Sequence, residues 1–78
     1  MNLAYEEFID FLAKGATTQE VIDFKPSQLA KSQVFELLQK KKSDALTSYE
    51  SAELDVCMLI EHLMRLAKAR AMINLDNS

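Results

Sequence analysis

Glycine and proline occur once each in this 78-residue chain, cysteine and histidine once each, and tryptophan not at all. So few turn formers argue against a fold of many short strands, because each reversal would draw on those residues. A lone Cys57 cannot close an intramolecular disulfide, and one cysteine with one histidine falls short of the four ligands of a structural zinc site. No stretch reaches the roughly 18 apolar residues of a membrane span. The acidic start, Glu6, Glu7 and Asp10 behind Met1, has the wrong sign for the leading region of a signal peptide. Basic charge is scarce too: a net charge of −3 and a pI near 5.0 exclude a nucleic-acid-coating protein or a polybasic membrane-surface module. These absences lead to the expectation of a cytoplasmic protein without cofactor or metal, in which Cys57 is a small buried hydrophobe in a reducing compartment.

What the chain does hold is apolar surface, with 49% hydrophobic residues against 27% charged. A chain of this size buries only about 60% of its unfolded surface, so an isolated monomer is marginal. With disulfide and zinc set aside, oligomerisation is the remaining aid.

Periodicity divides the chain into four helices in a single domain. Over residues 3–14, Tyr5, Phe8, Ile9, Phe11 and Leu12 share one face opposite Glu6, Glu7, Asp10 and Lys14, with Asn2 as cap and Gly15 as stop. Thr17 and Glu20 have capping-box spacing and open a short helix over 18–24, which Pro26 ends by disfavouring helical geometry at Lys25. Ser27 caps a third helix to about Lys41 whose inner face is Ala30, Val34, Leu37 and Leu38, widened by Phe35. After a loop, Thr47 and Glu50 repeat the capping box and open a helix over 48–73, leaving a tail at 74–78. The fold class expected is all-α: a small helical bundle in which the long C-terminal helix forms a hairpin with the third helix and the N-terminal helix crosses it.

The long helix carries more apolar surface than this arrangement can cover. It is about 39 Å long and the preceding helix only about 21 Å. Its apolar residues Val56, Leu59, Ile60, Leu63, Met64, Leu66, Ala67, Ala71 and Ile73 span about 200° of the helical wheel, twice an ordinary stripe. Part of that arc is expected to pack on helices one and three, and the rest on a second copy or a partner protein. Val56, Leu59, Ile60, Leu63, Met64, Leu66, Ala67, Arg70 and Ile73 are therefore the candidate interface. Arg70 interrupts the arc between leucines, so it either snorkels past the end of the core or pairs across a dimer with an acid such as Asp55, fixing register.

Charge falls in blocks of −4 over residues 1–24, +4 over 25–42, −5 over 43–62 and +2 over 63–78. Acids at the start of the long helix and bases near its end follow the helix dipole, and Glu61 with Arg65 makes a favourable i,i+4 pair. Lys40, Lys41 and Lys42 likewise suit a helix C-terminus. With Arg65 and Lys68 they form an alternative anion-contact set for a small nucleic-acid-binding regulator, although the tyrosines sit among acids and give no base-stacking platform. Catalytic signatures are missing: no HExxH, no GxSxG, and a single Gly15 that cannot build a phosphate loop. His62 and Glu61 are neighbours in sequence but turned about 100° apart on a helix, an awkward dyad. The expectation is a non-enzymatic interaction module.

Phe24-Lys25-Pro26-Ser27, Leu37-Leu38, Leu46-Thr47, Glu53-Leu54-Asp55 and the run from Glu61-His62-Leu63-Met64-Arg65 through Leu66-Ala67-Lys68-Ala69-Arg70-Ala71 resemble a group of short helical bacterial proteins frequent in cyanobacteria. The resemblance covers about residues 20 to 71. It implies a small helical cytoplasmic protein, antitoxin-like in those members that accompany toxin or nuclease genes. Gln33 stands where the group often has arginine, and Ala45 where it often has glycine.

Overall fold

Each helix begins where a side-chain oxygen replaces a missing backbone acceptor. The computed structural model describes residues 2–77 as α1 (Leu3–Lys14), α2 (Thr18–Asp23), α3 (Gln28–Lys42) and α4 (Ser48–Asp76), with no strand among them. Asn2 Oδ1 accepts the Tyr5 N–H at 3.1 Å, and Ser27 Oγ accepts the Ala30 N–H at 3.1 Å. Thr17 with Glu20 and Thr47 with Glu50 close reciprocal capping boxes.

The helix ends are equally local. Gly15 stops α1 at φ 73°, where a side chain would be strained. Phe24 is already extended two residues before Pro26, so α2 stops at Asp23 rather than 24. Asp44 takes φ 57° and lets the Ala45 N–H return to the Lys40 carbonyl at 2.8 Å, a Schellman closure of α3. Helix α4 runs to Asp76 instead of ending at 73. Nothing in Asn74, Leu75 or Asp76 breaks a helix, so most of the expected tail is its last turn.

Helices α3 and α4 form the expected hairpin with α1 packed against both, and α2 is an additional covering element. The end of α3 meets the start of α4 through the Lys40–Glu50 ion pair, and Ala30 and Lys31 near the start of α3 line one groove with Met64 and Lys68 further along α4, so these two helices run antiparallel. With 29 residues against 15, α4 outreaches α3 by about 20 Å. Short α2 packs against α4, while α1 packs against α3 and α4. The Lys68 ammonium donates to the Phe24 carbonyl at 2.6 Å, and the Phe11 and Phe24 rings meet at 4.5 Å. Helix α2 thus supplies cover that the sequence reading assigned to α1 and α3 alone.

Helix α1 is also turned from its expected orientation. Phe8 and Phe11 are half-buried, but Tyr5, Ile9 and Leu12 are exposed. Glu7, expected outside, accepts the Ser27 N–H at 2.8 Å. The N-terminus is fastened by polar contacts: Asn2 Nδ2 donates to the Glu53 carbonyl at 3.1 Å, and the Leu3 N–H donates to Gln33 Oε1 at 3.0 Å. Arginine at position 33 would have no acceptor to offer. Because Asn2 both caps α1 and ties it to α4, Asn2→Ala is expected to cost about 1–2 kcal/mol. Urea denaturation checks this, and a loss below about 0.5 kcal/mol would remove the anchoring role.

The resulting core is thin. Its buried side chains are Ala30, Leu37, Leu54, Cys57, Ile60, Met64 and Ala71, a row along α4 met by two positions on α3. The molecule measures 48 × 21 × 18 Å with a radius of gyration of 14.3 Å, against about 11.5 Å for a compact chain of this length. It exposes 5792 Å², roughly 1,000 Å² more than size alone predicts for its 8.9 kDa.

Candidate functional site

Exposed large hydrophobic side chains are most numerous on α4. Leu54, Cys57, Ile60, Met64 and Ala71 face the bundle and are buried. On the other side, Val56 (37%), Leu59 (56%), Leu63 (42%), Leu66 (56%) and Ile73 (55%) stand exposed. Their spacing, with Arg70 included, alternates three and four residues without interruption from Val56 to Ile73. That is the a/d pattern of a coiled-coil seam. The wide apolar arc read from the sequence is therefore two stripes on one helix, one serving the protomer and one left bare.

This division corrects the candidate interface at two positions. Ile60 and Met64 are buried within their own chain and cannot present themselves to a partner. Val56, Leu59, Leu63, Leu66 and Ile73 are accessible, and exposed Ala67 borders them. Arg70 is exposed on the same stripe, and neither it nor Asp55 takes part in a side-chain hydrogen bond or ion pair among the described residues. The signal for the bare stripe was present in the sequence as strict three-four spacing, hidden by the interleaved apolar residues of the buried face.

A second surface lies between α3 and α4. Val34, Phe35, Leu38, Met58, Ile60 and Met64 contribute to an open groove of about 560 Å³, with Lys31, Arg65 and Lys68 also among its lining residues. Leu38 and Phe35, expected to turn inward, are exposed here. None of the groove residues belongs to the bare stripe, and at 100° per residue the two occupy opposite sides of α4.

The alternative cation set is not brought together. Lys40 sits beside Glu50 at the start of α4, and Arg65 lies 15 residues further along that helix, about 22 Å away. Lys40 is taken by Glu50, Arg65 by Glu61 and Lys68 by the Phe24 carbonyl. Lys41 and Lys42 line a shallow surface with Phe35, Leu38 and Gln39. The set thus divides in two: Lys40, Lys41 and Lys42 lie at the end of α3, while Arg65 and Lys68 lie further along α4 beside Lys31 in the groove.

The Lys40–Glu50 pair is at the surface and has a defined pH signature. The hydrogen bond from Lys40, followed by the Thr47 backbone N–H, holds the Glu50 carboxyl below its usual range. The same bond with Glu50, then its charge, raises the Lys40 ammonium above the ordinary lysine value. Stabilisation through Glu50 is complete above the unfolded carboxyl pKa and disappears as pH falls through the lowered folded value. That through Lys40 is complete below the unfolded lysine pKa and disappears as pH rises through its raised folded value. Lys40→Met is expected to lower the urea midpoint slightly near pH 7 and to approach wild type below about pH 4. A difference that stays constant across that range would contradict the pairing.

The catalytic candidates are not assembled either. Glu61 bonds to Arg65 rather than to exposed His62. The Cys57 Sγ lies 3.5 Å from Asn2 Oδ1, and burial pushes its thiol pKa up, which disfavours the reactive thiolate. Among the described residues no group of three or more His, Cys, Asp or Glu is placed to hold a metal ion, and no helix is long and apolar enough to cross a membrane.

Fold and surface together define a class: a small all-α protein whose longest helix is solvated along a coiled-coil stripe. Comparison with protein-family models, curated proteins and solved structures finds no match to the chain.

Proposed function

We propose that this protein is a non-enzymatic interaction module that acts as a homodimer through the outer face of α4. The observation carrying the proposal is the uninterrupted seam Val56, Leu59, Leu63, Leu66, Arg70 and Ile73, whose apolar members are all exposed. Bare apolar surface of this extent marks an interaction site. The excess of roughly 1,000 Å² is comparable to the 800 Å² or so that each partner buries in a standard interface. A helix seam also has a direct route to self-association, since a two-fold axis lets one stripe serve both copies.

The resemblance to antitoxin-like proteins extends the proposal to a protein partner, for which the groove opposite the seam stays open in such a dimer. An apolar channel presenting the exposed side chains of Phe35, Leu38 and Met58 suits an amphipathic helix, and methionine adapts to different partners. Sedimentation equilibrium at micromolar concentration is expected to give twice the 8.9 kDa protomer mass. A monomer with a cooperative melt would overturn the homodimer.

A further inference from the structure

Resting on the homodimer reading, we propose that the two α4 helices pair antiparallel, with Arg70 of each copy bonded to Asp55 of the other. Arg70 is the one charged residue in the seam. In a parallel pair each seam position faces its own equivalent, which places the two Arg70 guanidinium groups against each other in an apolar interface. Like charges brought together in this way oppose association. Asp55, on the flank of the seam and 15 residues earlier, would lie about 22 Å along the axis from either guanidinium and stay unpaired.

Reversing one helix removes the opposition and gives Asp55 a partner. The seam is symmetric about a point between Met64 and Arg65. Antiparallel pairing about that point sets Leu63 against Leu66, Leu59 against Arg70 and Val56 against Ile73. Arg70 then lies one turn from Asp55 of the other copy, within the span of an arginine side chain. A shift of one heptad, centred on Glu61, sets Arg70 against Ala52 and keeps it within one turn of Asp55, while Tyr49 joins the seam opposite Ile73. Both registers bring together Arg70 and Asp55, neither of which has a side-chain partner in its own chain among the described residues. They also lay the acidic first half of α4, with Glu53 and Asp55, along the basic second half of its neighbour.

A bidentate Arg–carboxylate pair at the edge of an apolar seam acts mainly on orientation and register, because the parallel alternative opposes the two guanidinium groups and leaves Asp55 without a partner. The helical bundles of the two copies would then project from opposite ends of a shared α4–α4 spine.

Spin labels on Ser51→Cys, in the full chain with buried Cys57 retained, measure the orientation by pulsed electron–electron resonance. At 1.5 Å rise per residue the antiparallel pair separates the labels by about 40 Å in the first register or about 30 Å in the second, and a parallel pair by about 20 Å or less. Either of the longer distances supports the proposal, and the short one overturns it while leaving the homodimer intact. Absence of any dipolar signal, together with a monomer mass, refutes the homodimer itself. Charge exchange supplies the residue assignment: Arg70→Glu and Asp55→Arg singly are each expected to weaken dimerisation at least about tenfold, and the double variant to recover to within about threefold of wild type. A double variant no tighter than the weaker single variant would remove the Arg70–Asp55 pair.

Discussion

Leu54→Ala is expected to destabilise the protein by about 2–5 kcal/mol, the range for a buried leucine truncated without collapse of the site. The total stability of a chain this long is about 4–12 kcal/mol, and an elongated molecule with few buried side chains belongs near the lower limit. Leu54 is 3% exposed and adjoins Glu53, whose carbonyl accepts the Asn2 amide. The cavity would therefore open where α1 is fastened to α4. Urea denaturation at fixed protein concentration measures the effect. Leu29→Ala, at a position 72% exposed, is the control and is expected to shift stability by less than about 0.5 kcal/mol. Equal effects at the two positions would contradict the assignment of the core.

Leu63→Glu with Leu66→Glu is expected to weaken dimerisation at least about a hundredfold, because a two-fold interface receives four buried carboxylates from two substitutions per chain and neither position faces Arg70 in either register. Neither leucine belongs to the protomer core, so far-ultraviolet circular dichroism should retain its helical signature. The melting temperature provides an independent readout. A dimer gains stability from concentration by mass action, so the wild-type melt should rise with protein concentration and the double variant's should not. A wild-type melt independent of concentration, with an unchanged mass for the variant, would contradict dimerisation through this face.

The two variants act on opposite sides of the same helix, and that separation was the part of the site least legible in the sequence. Helical periodicity marks apolar positions but not which neighbour each one meets. Ile60 and Met64 are as apolar as Leu59 and Leu63, yet the first pair is buried in the protomer and the second exposed. Helix α1 shows the same limit: Phe8 and Ile9 share an apolar arc, but docking orients Phe8 inward and Ile9 outward. The cations behave likewise. Lys40 and Lys68 read as members of one basic group until the antiparallel course of α3 and α4 places them at different ends and engages each with its own acceptor.

What the sequence by itself determined was the all-α class, the four helix starts and the presence of more apolar surface on the last helix than one chain can cover. Those features rest on interactions within four residues: Asn2, Thr17, Ser27 and Thr47 each reach a backbone N–H three positions on. Only the tertiary structure decided which stripe of α4 is spent on the core, that α2 helps to cover it, and that Asn2 and Glu7 fasten α1. These contacts join residues far apart in the chain, so their geometry depends on how whole helices pack. The single cysteine and single histidine had already set disulfide and zinc aside, leaving self-association as the expected aid to a small chain. The folded protomer leaves a definite apolar stripe exposed, from Val56 to Ile73, and the proposed dimer would use it.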